Sequence, residues 1–307
     1  MEVKGRFAPS PSGRMHLGNL LAALLAWLDV RSQGGKLVLR VEDLDPDRCT
    51  RERAEQLLDD LRWLGLDWDE GGLEPGYCQS ERAPFYQEAF ETLSAQGLTY
   101  PCYCTRAERL AASAPHPGEP LHSSCKCAGL TPGERAKLEQ AGRRPAWKVR
   151  VPAERIVMED GHLGRYEQDL RQDCGDFIVR RSDGVWAYQL AVVVDDGRMG
   201  VNHVVRGRDL LSSAPRQIWL HRTLGYEPPQ YFHLPLLVDR EGRRLSKRDR
   251  DLDMGVLRAK YTPAELRGLL GYCAGVLDEP KNAELDRLVS RFSWSKVPKN
   301  DIEAGSS

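Results

Sequence analysis

The stretch that decides the fold is RFAPSPSGRMHLGN, at residues 6–19. Two prolines and two glycines keep it irregular, and leucines then recur at helical spacing from Leu20 to Leu28 until Gly34 and Gly35 end the run. The pattern predicts an extended segment, a sharp turn and a helix that begins directly behind His16. A helix N-terminus carries unpaired N–H groups and the positive end of the helix dipole, so this one is a candidate phosphate site.

At the predicted helix start, His16 and Asn19 flank the phosphate site, and Gly18 would let a ligand approach the backbone. A turn before a core helix would give a similar local pattern. The whole run resembles the ATP-binding signature of class I aminoacyl-tRNA synthetases, with HLGN at residues 16–19 in the place of HIGH. RFAPSP at residues 6–11 resembles the entry strand of the glutamyl and glutaminyl members. The resemblance implies that this strand contributes to glutamate binding through Arg6, Phe7, Ala8, Pro9 and Ser10.

Chain length, net charge and hydropathy limit the possible domain organisation and partners. The chain has 307 residues, enough for one large domain with a smaller attachment. Lys and Arg number 44 against 45 Asp and Glu, a net charge of -1, so any nucleic acid must bind a local patch. The N-terminus has no charged-then-apolar leader, and no apolar segment approaches 18 residues in length. We therefore expect a cytoplasmic protein with no membrane partner.

A strand is predicted at residues 36–41, and Glu42 follows at its carboxyl end. Strand, helix and strand in this order favour a parallel sheet, whose ligands lie beyond the carboxyl ends of the strands. Glu42 could pair with a substrate ammonium there, or it could belong to a solvated acidic turn. RVEDLD at residues 40–45 resembles the family segment that holds the α-amino group of the amino acid, which implies that role for Glu42.

Further elements follow from periodicity. Helices are predicted at residues 51–64 and 81–95, and strands at 147–151 and 177–181. Residues 160–171 are polar and are predicted to form a loop. Two more helices are predicted near the C-terminus, one opening at TPAEL, residues 262–266, and one at residues 282–291.

Two C-x-C pairs, separated by 20 residues rich in Ala, Pro and His, predict a structural zinc site. The predicted ligands are Cys102, Cys104, Cys125 and Cys127. Four unrelated thiols are the alternative. His116 or His122 could replace one cysteine, although both could equally be loop residues. In the family's insert the second pair of ligands is different. This chain departs from that pattern at its last predicted ligand, Cys127.

Residues 186–196, WAYQLAVVVDD, have a continuous apolar middle that predicts a strand or a helix buried on both faces. On composition alone Tyr188 would be a core residue. The segment resembles a family run whose tyrosine contacts the amino acid, which implies that role for Tyr188. Gln189 replaces the usual asparagine and indicates a subfamily.

A strand that ends at a glycine is predicted at residues 201–209, VNHVVRGRD. Arg206 at its carboxyl end could clamp a carboxylate through two N–H groups, or it could form a surface ion pair. The resemblance favours the clamp, although Arg208 stands where the family has glutamate.

The last motif is GRRLSKR, at residues 242–248. A basic, glycine-led loop bearing Lys247 could reach phosphates and stabilise charge on a departing pyrophosphate, or it could be a solvated turn or an RNA contact. It resembles the second class I signature, KMSKS, with Arg244 in place of the first lysine. The two signatures, about 230 residues apart, imply that His16 and Lys247 are catalytic and that His16, Gly18, Asn19 and Lys247 bind ATP with Mg²⁺.

The expected fold is α/β, with the Rossmann-like parallel sheet of class I synthetases, a zinc-bearing insert and a short helical C-terminal region. We expect four segments. They are the first half of the catalytic domain (1–98), the insert (99–145), the second half (146–240) and the loop with the helical region (241–307).

The resemblance covers about residues 5–250, whereas full glutamyl and glutaminyl enzymes continue into anticodon-reading domains. We therefore expect a monomeric, stand-alone catalytic core. With Gln189 and the cysteine insert, the chain resembles most the members that attach glutamate to queuosine in the anticodon of tRNA(Asp). A truncated tRNA(Glu)-charging enzyme and a non-catalytic, zinc-stapled RNA-binding module are the alternatives. Which arginine takes the glutamate side chain, Arg6 or Arg206, stays open at this level.

Overall fold

The structure is a computed structural model, and it describes residues 2–105, 108, 125–239, 242 and 253–303. Within these residues the strands are β1 (Lys4–Phe7), β2 (Lys36–Leu39), β3 (Glu70–Gly71), β4 (Thr99–Cys102), β5 (Ala146–Val149), β6 (Arg155–Asp160), β7 (Gly164–Asp169), β8 (Phe177–Arg180), β9 (His203–Gly207), β10 (Gln230–Leu234), β11 (Leu237–Val238) and β12 (Ile302–Glu303). The helices are α1 (Leu17–Arg31), α2 (Arg51–Leu64), α3 (Ala83–Ala95), α4 (Pro132–Gln140), α5 (Tyr188–Met199), α6 (Ala214–Thr223), α7 (Met254–Lys260), α8 (Pro263–Cys273) and α9 (Leu285–Arg291).

The predicted parallel sheet is confirmed. Its strand order is β10-β9-β1-β2-β3, and every neighbouring pair is parallel. Gly5 of β1 lies opposite Leu37 of β2 on one side and His203 of β9 on the other. Since parallel strands share a direction, the residues that follow β1, β2 and β9 emerge at the same edge of the sheet.

Helices cover both faces of this sheet and divide the apolar core in two. Helices α1, α2, α7 and α8 contribute to one cluster, while α3, α5 and α6 contribute to the other. Helix α1 is apolar nearly all round because it is enclosed, and Leu20, Leu24 and Leu28 are fully buried. Gly5 permits the close approach of α1 to β1, since a Cβ there would lie 2.4 Å from Val30 Cγ2.

Two antiparallel sheets lie outside the parallel one. Strands β4, β5 and β8 form a three-stranded sheet, and β6 pairs with β7 as a hairpin. The prediction of a loop at residues 160–171 is therefore wrong, because β7 occupies Gly164–Asp169. The outer face of this strand carries exposed polar side chains, so apolar alternation gives no signal, and pairing with β6 supplies its order.

Most other predicted elements agree with the structure. Helix α2 spans the predicted residues, and residues 186–196, left open between strand and helix, form most of helix α5. Helix α3 begins two residues later than predicted, after a 3-10 turn at Gln79–Glu81. The predicted domain boundaries stay predictions. Among the described residues, no helix combines the length and the apolar character needed to cross a bilayer.

Candidate active site

The first signature forms the start of α1, as predicted. His16 is the N-cap, and its Nδ1 accepts a hydrogen bond from the Gly18 N–H at 3.2 Å. Asn19 Oδ1 accepts from the His16 N–H at 3.2 Å, which completes a capping box. A Cβ at Gly18 would lie 3.2 Å from the His16 ring. The glycine therefore makes room for the His16 ring and brings the imidazole over the first turn of the helix.

The second signature, Lys247 included, lies outside the described residues. The chain re-enters the described part at Asp253, which forms an antiparallel bridge with His16. Immediately afterwards, the Met254 N–H donates to the Met15 carbonyl at 2.9 Å. The residue six positions after Lys247 is thus paired directly with the first signature.

A buried carboxylate, that of Asp60, also links the first signature to α7. Asp60 of α2 is fully buried, and it accepts from Arg14 Nη2 at 3.3 Å and from Arg258 Nη1 at 2.9 Å. Arg14 belongs to the first signature, and Arg258 belongs to α7. Sequence reasoning missed Asp60, because it reads as one of several acids on the surface of an amphipathic helix.

The four charged or polar side chains predicted to hold an amino acid lie close together. Arg6 is in β1, Glu42 follows β2, Arg206 is in β9, and Tyr188 is the first residue of α5. Tyr188 interacts electrostatically with Arg206, Glu42 and Arg6, and burial raises the pKa of its hydroxyl. The topology that brings β1, β2 and β9 to one edge of the sheet therefore assembles these groups from positions far apart in the sequence.

The rest of the entry segment supports the backbone of this site. Phe7 is buried at the end of β1, while Ala8 and Pro9 are half-buried and Ser10 is exposed. The Pro9 carbonyl accepts from the Glu42 N–H at 3.0 Å, so the entry segment and the residue after β2 are hydrogen-bonded directly.

Arg40, which no sequence argument singled out, organises the acids of the site. Its guanidinium is fully buried and donates to Glu42 Oε1 at 3.1 Å and to Asp196 Oδ1 at 2.6 Å. Burial raises the pKa of Glu42, with the charges of Arg40 and Arg6 opposing the shift. Burial also lowers the pKa of Arg6, opposed by Asp196, whose carboxylate lies 3.9 Å from Arg6 Nε. That Nε is buried and has no hydrogen-bond partner within the described residues.

The neighbouring acid, Asp195, joins α5 to the segment directly before α3. It accepts from Gln79 Nε2 at 2.8 Å, Arg82 Nε at 2.6 Å and Tyr86 Oη at 2.9 Å, and it lies 3.7 Å from Arg40 Nε. The QSER motif at residues 79–82 therefore meets the acids of α5. A signal was present in the sequence, since two acids at the end of a buried apolar run need buried partners.

Arg206 is buried and is held by protein groups on several sides. Nε donates to His233 Nε2 at 3.0 Å, Nη1 to Gln217 Oε1 at 2.7 Å and Nη2 to the Leu210 carbonyl at 3.3 Å. The Tyr231 ring lies under the guanidinium, with its centroid 4.8 Å from Arg206 Cζ. Arg206 is therefore not a surface ion pair, which removes that alternative reading.

The two departures from the family pattern have different surroundings. Gln189 is hydrogen-bonded to Gln217 at 2.7 Å and to Ser213 at 3.0 Å, so it belongs to the surroundings of Arg206. Arg208 forms an exposed ion pair with Asp301 at 3.3 Å.

The two C-x-C pairs meet in one cluster, and the sulfurs of the four cysteines all lie within 4.8 Å of one another. The Sγ–Sγ distances are 3.5 Å for Cys102–Cys125, 3.7 Å for Cys104–Cys125 and 3.6 Å for Cys104–Cys127. These are too long for disulfides. The Tyr103 N–H donates to Cys127 Sγ at 3.4 Å.

This cluster could hold a metal ion. Four thiolates at 2.3 Å around a tetrahedral zinc ion would lie about 3.8 Å from one another, close to the spacing seen here. His116 and His122, the alternative ligands, lie outside the described residues. A complete set of four sulfurs leaves no open coordination position, so such a site would be structural.

Comparison with known proteins agrees with this arrangement. Residues 2–268 match the protein family described as tRNA synthetases class I (E and Q), catalytic domain. The chain belongs to this family. It is therefore a class I aminoacyl-tRNA synthetase-type ligase, and the α/β fold is that of the class I catalytic domain.

Relatives in this synthetase family match the chain over most of its length. The chain is 49% identical over 286 residues to a protein from Nitratidesulfovibrio vulgaris named Glutamyl-Q tRNA(Asp) synthetase, covering 90% of this chain and 88% of that one. A protein of the same name from Symbiobacterium thermophilum is 46% identical over 308 residues, covering 97% and 94%. A crystal structure of a glutamate tRNA ligase from Elizabethkingia meningosepticum, in complex with its amino acid, superposes with a TM-score of 0.82. It has 25% identity and covers 99% of this chain and 67% of that one.

Proposed function

We propose that this protein activates glutamate with ATP and transfers the glutamyl group to queuosine in the anticodon of tRNA(Asp). The observation that carries the proposal is the grouping of Arg6, Arg206 and Glu42 around Tyr188. Glutamate has two carboxylates and one ammonium, so two guanidiniums and one carboxylate are its electrostatic complement. The acceptor is supported by the relatives at 49% and 46% identity, which are named for that reaction.

In the first step, an oxygen of the glutamate α-carboxylate attacks the α-phosphorus of ATP. The bond to the bridging oxygen breaks, pyrophosphate leaves, and glutamyl-adenylate remains. Arg6 and Arg206 each bind one carboxylate, while Glu42 binds the ammonium and Tyr188 contacts the amino acid. Holding the two reactants in line provides much of the rate enhancement.

ATP binds at the start of α1, where His16, Gly18 and Asn19 lie, and Lys247 approaches from the second signature. The pairing of Asp253 with His16 supports this assignment, because it brings the chain back to the first signature six residues after Lys247. Lys247 and His16 stabilise charge that develops on the departing pyrophosphate. Mg²⁺ would neutralise part of the phosphate charge when ATP is bound.

In the second step, a hydroxyl oxygen of the queuosine attacks the glutamyl carbonyl carbon. An ester forms, the bond to the adenylate oxygen breaks, and AMP leaves while the hydroxyl proton passes to solvent. No side chain of the protein needs to become covalently attached. Bases extruded from an RNA loop are a common target of proteins that read RNA sequence, so an anticodon loop is a suitable partner.

Glutamate-dependent ATP–pyrophosphate exchange by the purified protein tests the first step. We expect exchange in the wild type and a loss of at least about 100-fold in His16→Ala and Lys247→Ala, because each removes charge stabilisation from the transition state. Lys281→Ala is the matched control, since Lys281 is 76% exposed and pairs with Glu279 on the surface. Absence of exchange in the wild type would favour a non-catalytic RNA-binding module.

The acceptor is tested with labelled glutamate and two preparations of tRNA(Asp), with and without queuosine. We expect transfer to the queuosine-containing tRNA alone, and we expect it to persist when the 3′-terminal adenosine is removed. Equal labelling of both preparations would contradict the proposed acceptor. Labelling of tRNA(Glu) that needs its 3′ end would instead identify a tRNA(Glu)-charging enzyme.

We also propose that the four-cysteine cluster holds one structural zinc ion per chain. The sulfur spacing supports tetrahedral coordination, and the paired C-x-C motifs supply four thiolates from two short loops. Thiols kept reduced for a metal are typical of the cytoplasm, and we place the protein there. The expectation of a monomer stays a prediction.

A further inference from the structure

The hydrogen bonds around Arg206 have a direction that chemistry fixes. A guanidinium can only donate, so His233 Nε2, which lies 3.0 Å from Arg206 Nε, must be the unprotonated ring nitrogen. The ring proton is therefore on Nδ1, and it is donated to Asp160 Oδ2 at 2.5 Å. Burial lowers the pKa of His233, which agrees with a neutral ring.

Asp160 is itself fixed at the end of β6. Its other oxygen, Oδ1, accepts from the backbone N–H groups of His162, Leu163 and His233 at 3.0, 2.8 and 3.2 Å. One oxygen of the Asp160 carboxylate therefore accepts from backbone N–H groups, and the other accepts from the His233 ring. This division leaves a single arrangement of the His233 proton that satisfies every group.

A second arm of hydrogen bonds leads away from Arg206 in the other direction. Because Arg206 donates, the Gln217 atom that faces it must be the oxygen, and the Gln217 amide nitrogen then faces Gln189 at 2.7 Å. The Gln189 oxygen accepts that bond, and its nitrogen donates to Ser213 Oγ at 3.0 Å. Gln189 directly follows Tyr188, so this arm passes through the first turn of α5 and ends at Ser213, directly before α6.

We propose that Asp160, His233, Gln217 and Gln189 are positioning residues that fix the plane of the Arg206 guanidinium for a carboxylate of the amino acid substrate. We call these four residues the Arg206 relay. Arg206 has five N–H groups, and within the described residues three of them donate to protein acceptors, leaving two for a carboxylate. This inference rests on the proposed function, because it takes the ligand of Arg206 to be that substrate.

The relay also gives a role to the departure from the family at Gln189. Glutamine is one methylene longer than the asparagine usual at this position, and that length brings its amide within 2.7 Å of Gln217. We therefore expect Gln189→Asn to break the link to Gln217, although it restores the usual family residue.

The decisive variant is Asp160→Asn, which has the same shape as the wild type. The amide oxygen would stay with the three backbone N–H groups, so the NH₂ group would face His233 Nδ1 and force the ring proton onto Nε2. That proton would then point at the Arg206 Nε–H, and the two donors would repel. We expect the KM for glutamate in ATP–pyrophosphate exchange to rise about tenfold or more, with the KM for ATP unchanged.

Three further variants separate positioning from folding. His233→Gln keeps an acceptor near Arg206, whereas His233→Phe removes it. We therefore expect the KM for glutamate to rise much less in His233→Gln than in His233→Phe. His162→Phe is the matched control, because His162 is also buried and its ring bonds to the Pro298 carbonyl at 3.0 Å instead of to Arg206. It should change the melting temperature without changing the KM for glutamate. Gln189→Asn tests the second arm if the Asp160 variant does not fold.

Unchanged KM values for glutamate in Asp160→Asn and Gln189→Asn, with exchange intact in the wild type, would overturn the relay and leave the proposed function standing. If the KM for ATP rose in these variants as much as the KM for glutamate, the relay would likewise be overturned and the proposed function would stand. A wild type without exchange would instead refute the proposed function. The ¹⁵N shifts of the His233 ring test the relay whatever the activity, because a proton on Nε2 at neutral pH contradicts it.

Discussion

At the residue scale, the buried charges of this protein are compensated by specific partners. Asp195 is fully buried, and it accepts hydrogen bonds from Gln79, Arg82 and Tyr86 while lying beside Arg40. Charge buried in this way is tolerated only when its partners are complete, because removing one partner leaves an unpaired charge in a medium of low polarity. The same condition applies to the acids and arginines around the proposed glutamate site.

Removing the Asp195 carboxylate should therefore be costly. We expect Asp195→Ala to lower the free energy of unfolding by about 3–5 kcal/mol, since it leaves Arg82 without its buried counter-ion and removes one of the three acids around Arg40. Urea denaturation measures the change. Asp183→Ala is the matched control, because its pair with Arg181 is about half exposed, and it should cost less than about 1 kcal/mol. A small effect for both would mean that water reaches the Asp195 site.

Acid should destabilise the protein through two other buried carboxylates. Burial alone would raise the pKa of Asp160, but the His233 ring and the backbone N–H groups outweigh burial and lower it. Burial would likewise raise the pKa of Asp196, and the charges of Arg40 and Arg6 outweigh it and lower the pKa. A pKa lower in the folded than in the unfolded state stabilises the protein above the unfolded value, about 3.9 for Asp, and this stability is lost as pH falls through the folded value.

Burial also lowers the pKa of His233, and it lowers that of His221 to about 4, whereas an unfolded histidine has a pKa of about 6.5. The unfolded state therefore binds protons first as pH falls below about 6.5, and stability is lost there as well. We expect the urea midpoint to fall gradually below about pH 6.5 and to fall further between about pH 4 and 2. Asp160→Asn should fall less steeply over the lower range, because it lacks one of the titrating groups. An Asp160→Asn midpoint that falls as steeply as the wild type would show that Asp160 does not contribute to acid unfolding.

At the element scale, the important junction is the one between the start of α1 and the start of α7. Asp253 caps α7 by accepting from the Gly255 N–H at 2.7 Å, and it pairs through its backbone with His16. Asp60 of α2 then holds Arg14 and Arg258 together across the junction. Three elements distant in sequence thus fix the first signature against the segment that follows the second.

A weaker junction should raise the KM for ATP more than the KM for glutamate. In Asp60→Asn the shape is kept and the charge is lost, so we expect destabilisation by about 1–3 kcal/mol and a KM for ATP that rises more than the KM for glutamate. Asp59→Asn is the matched control, since Asp59 is 65% exposed and also pairs with Arg258. Equal increases in both KM values in Asp60→Asn would contradict a specific role at the ATP site.

At the scale of the whole molecule, the cysteine cluster stands apart from the two large apolar cores. Its own apolar cluster centres on Tyr100, Cys102, Tyr103 and Cys127, which is too small to provide much stability by burial. A metal ion would supply the missing stability locally, because the four thiolates are brought together only in the folded state, so that the free energy of metal binding adds to that of folding.

We therefore expect removal of the proposed zinc ion to unfold the segments around the four cysteines while the parallel sheet remains. With a strong chelator we expect release of about one zinc ion per chain and faster hydrogen exchange in residues 99–105 and 125–140, with little change in α1 and α5. Cys125→Ser should show the same pattern without chelator. A purified protein with no bound zinc and normal protection in these segments would refute the zinc site.

The sequence by itself determined the features that neighbouring residues carry. Helix α2, the start of α1 behind His16 and the two C-x-C pairs were predictable, because periodicity and short spacing act over a few residues. The resemblance to class I synthetases added the residues that we propose to bind glutamate.

Only the tertiary structure decided which buried groups meet. Asp160 and His233 are 73 residues apart, Gln189 and Gln217 are 28 apart, and Arg14 and Asp60 are 46 apart. No local pattern marks such pairs, since each partner looks like an ordinary polar residue within its own element. The hairpin of β6 and β7 escaped prediction for a related reason, because the order of a polar outer strand comes from the strand beside it. The parallel sheet and its crossovers bring these residues together, and the mutual satisfaction of buried donors and acceptors then fixes their arrangement.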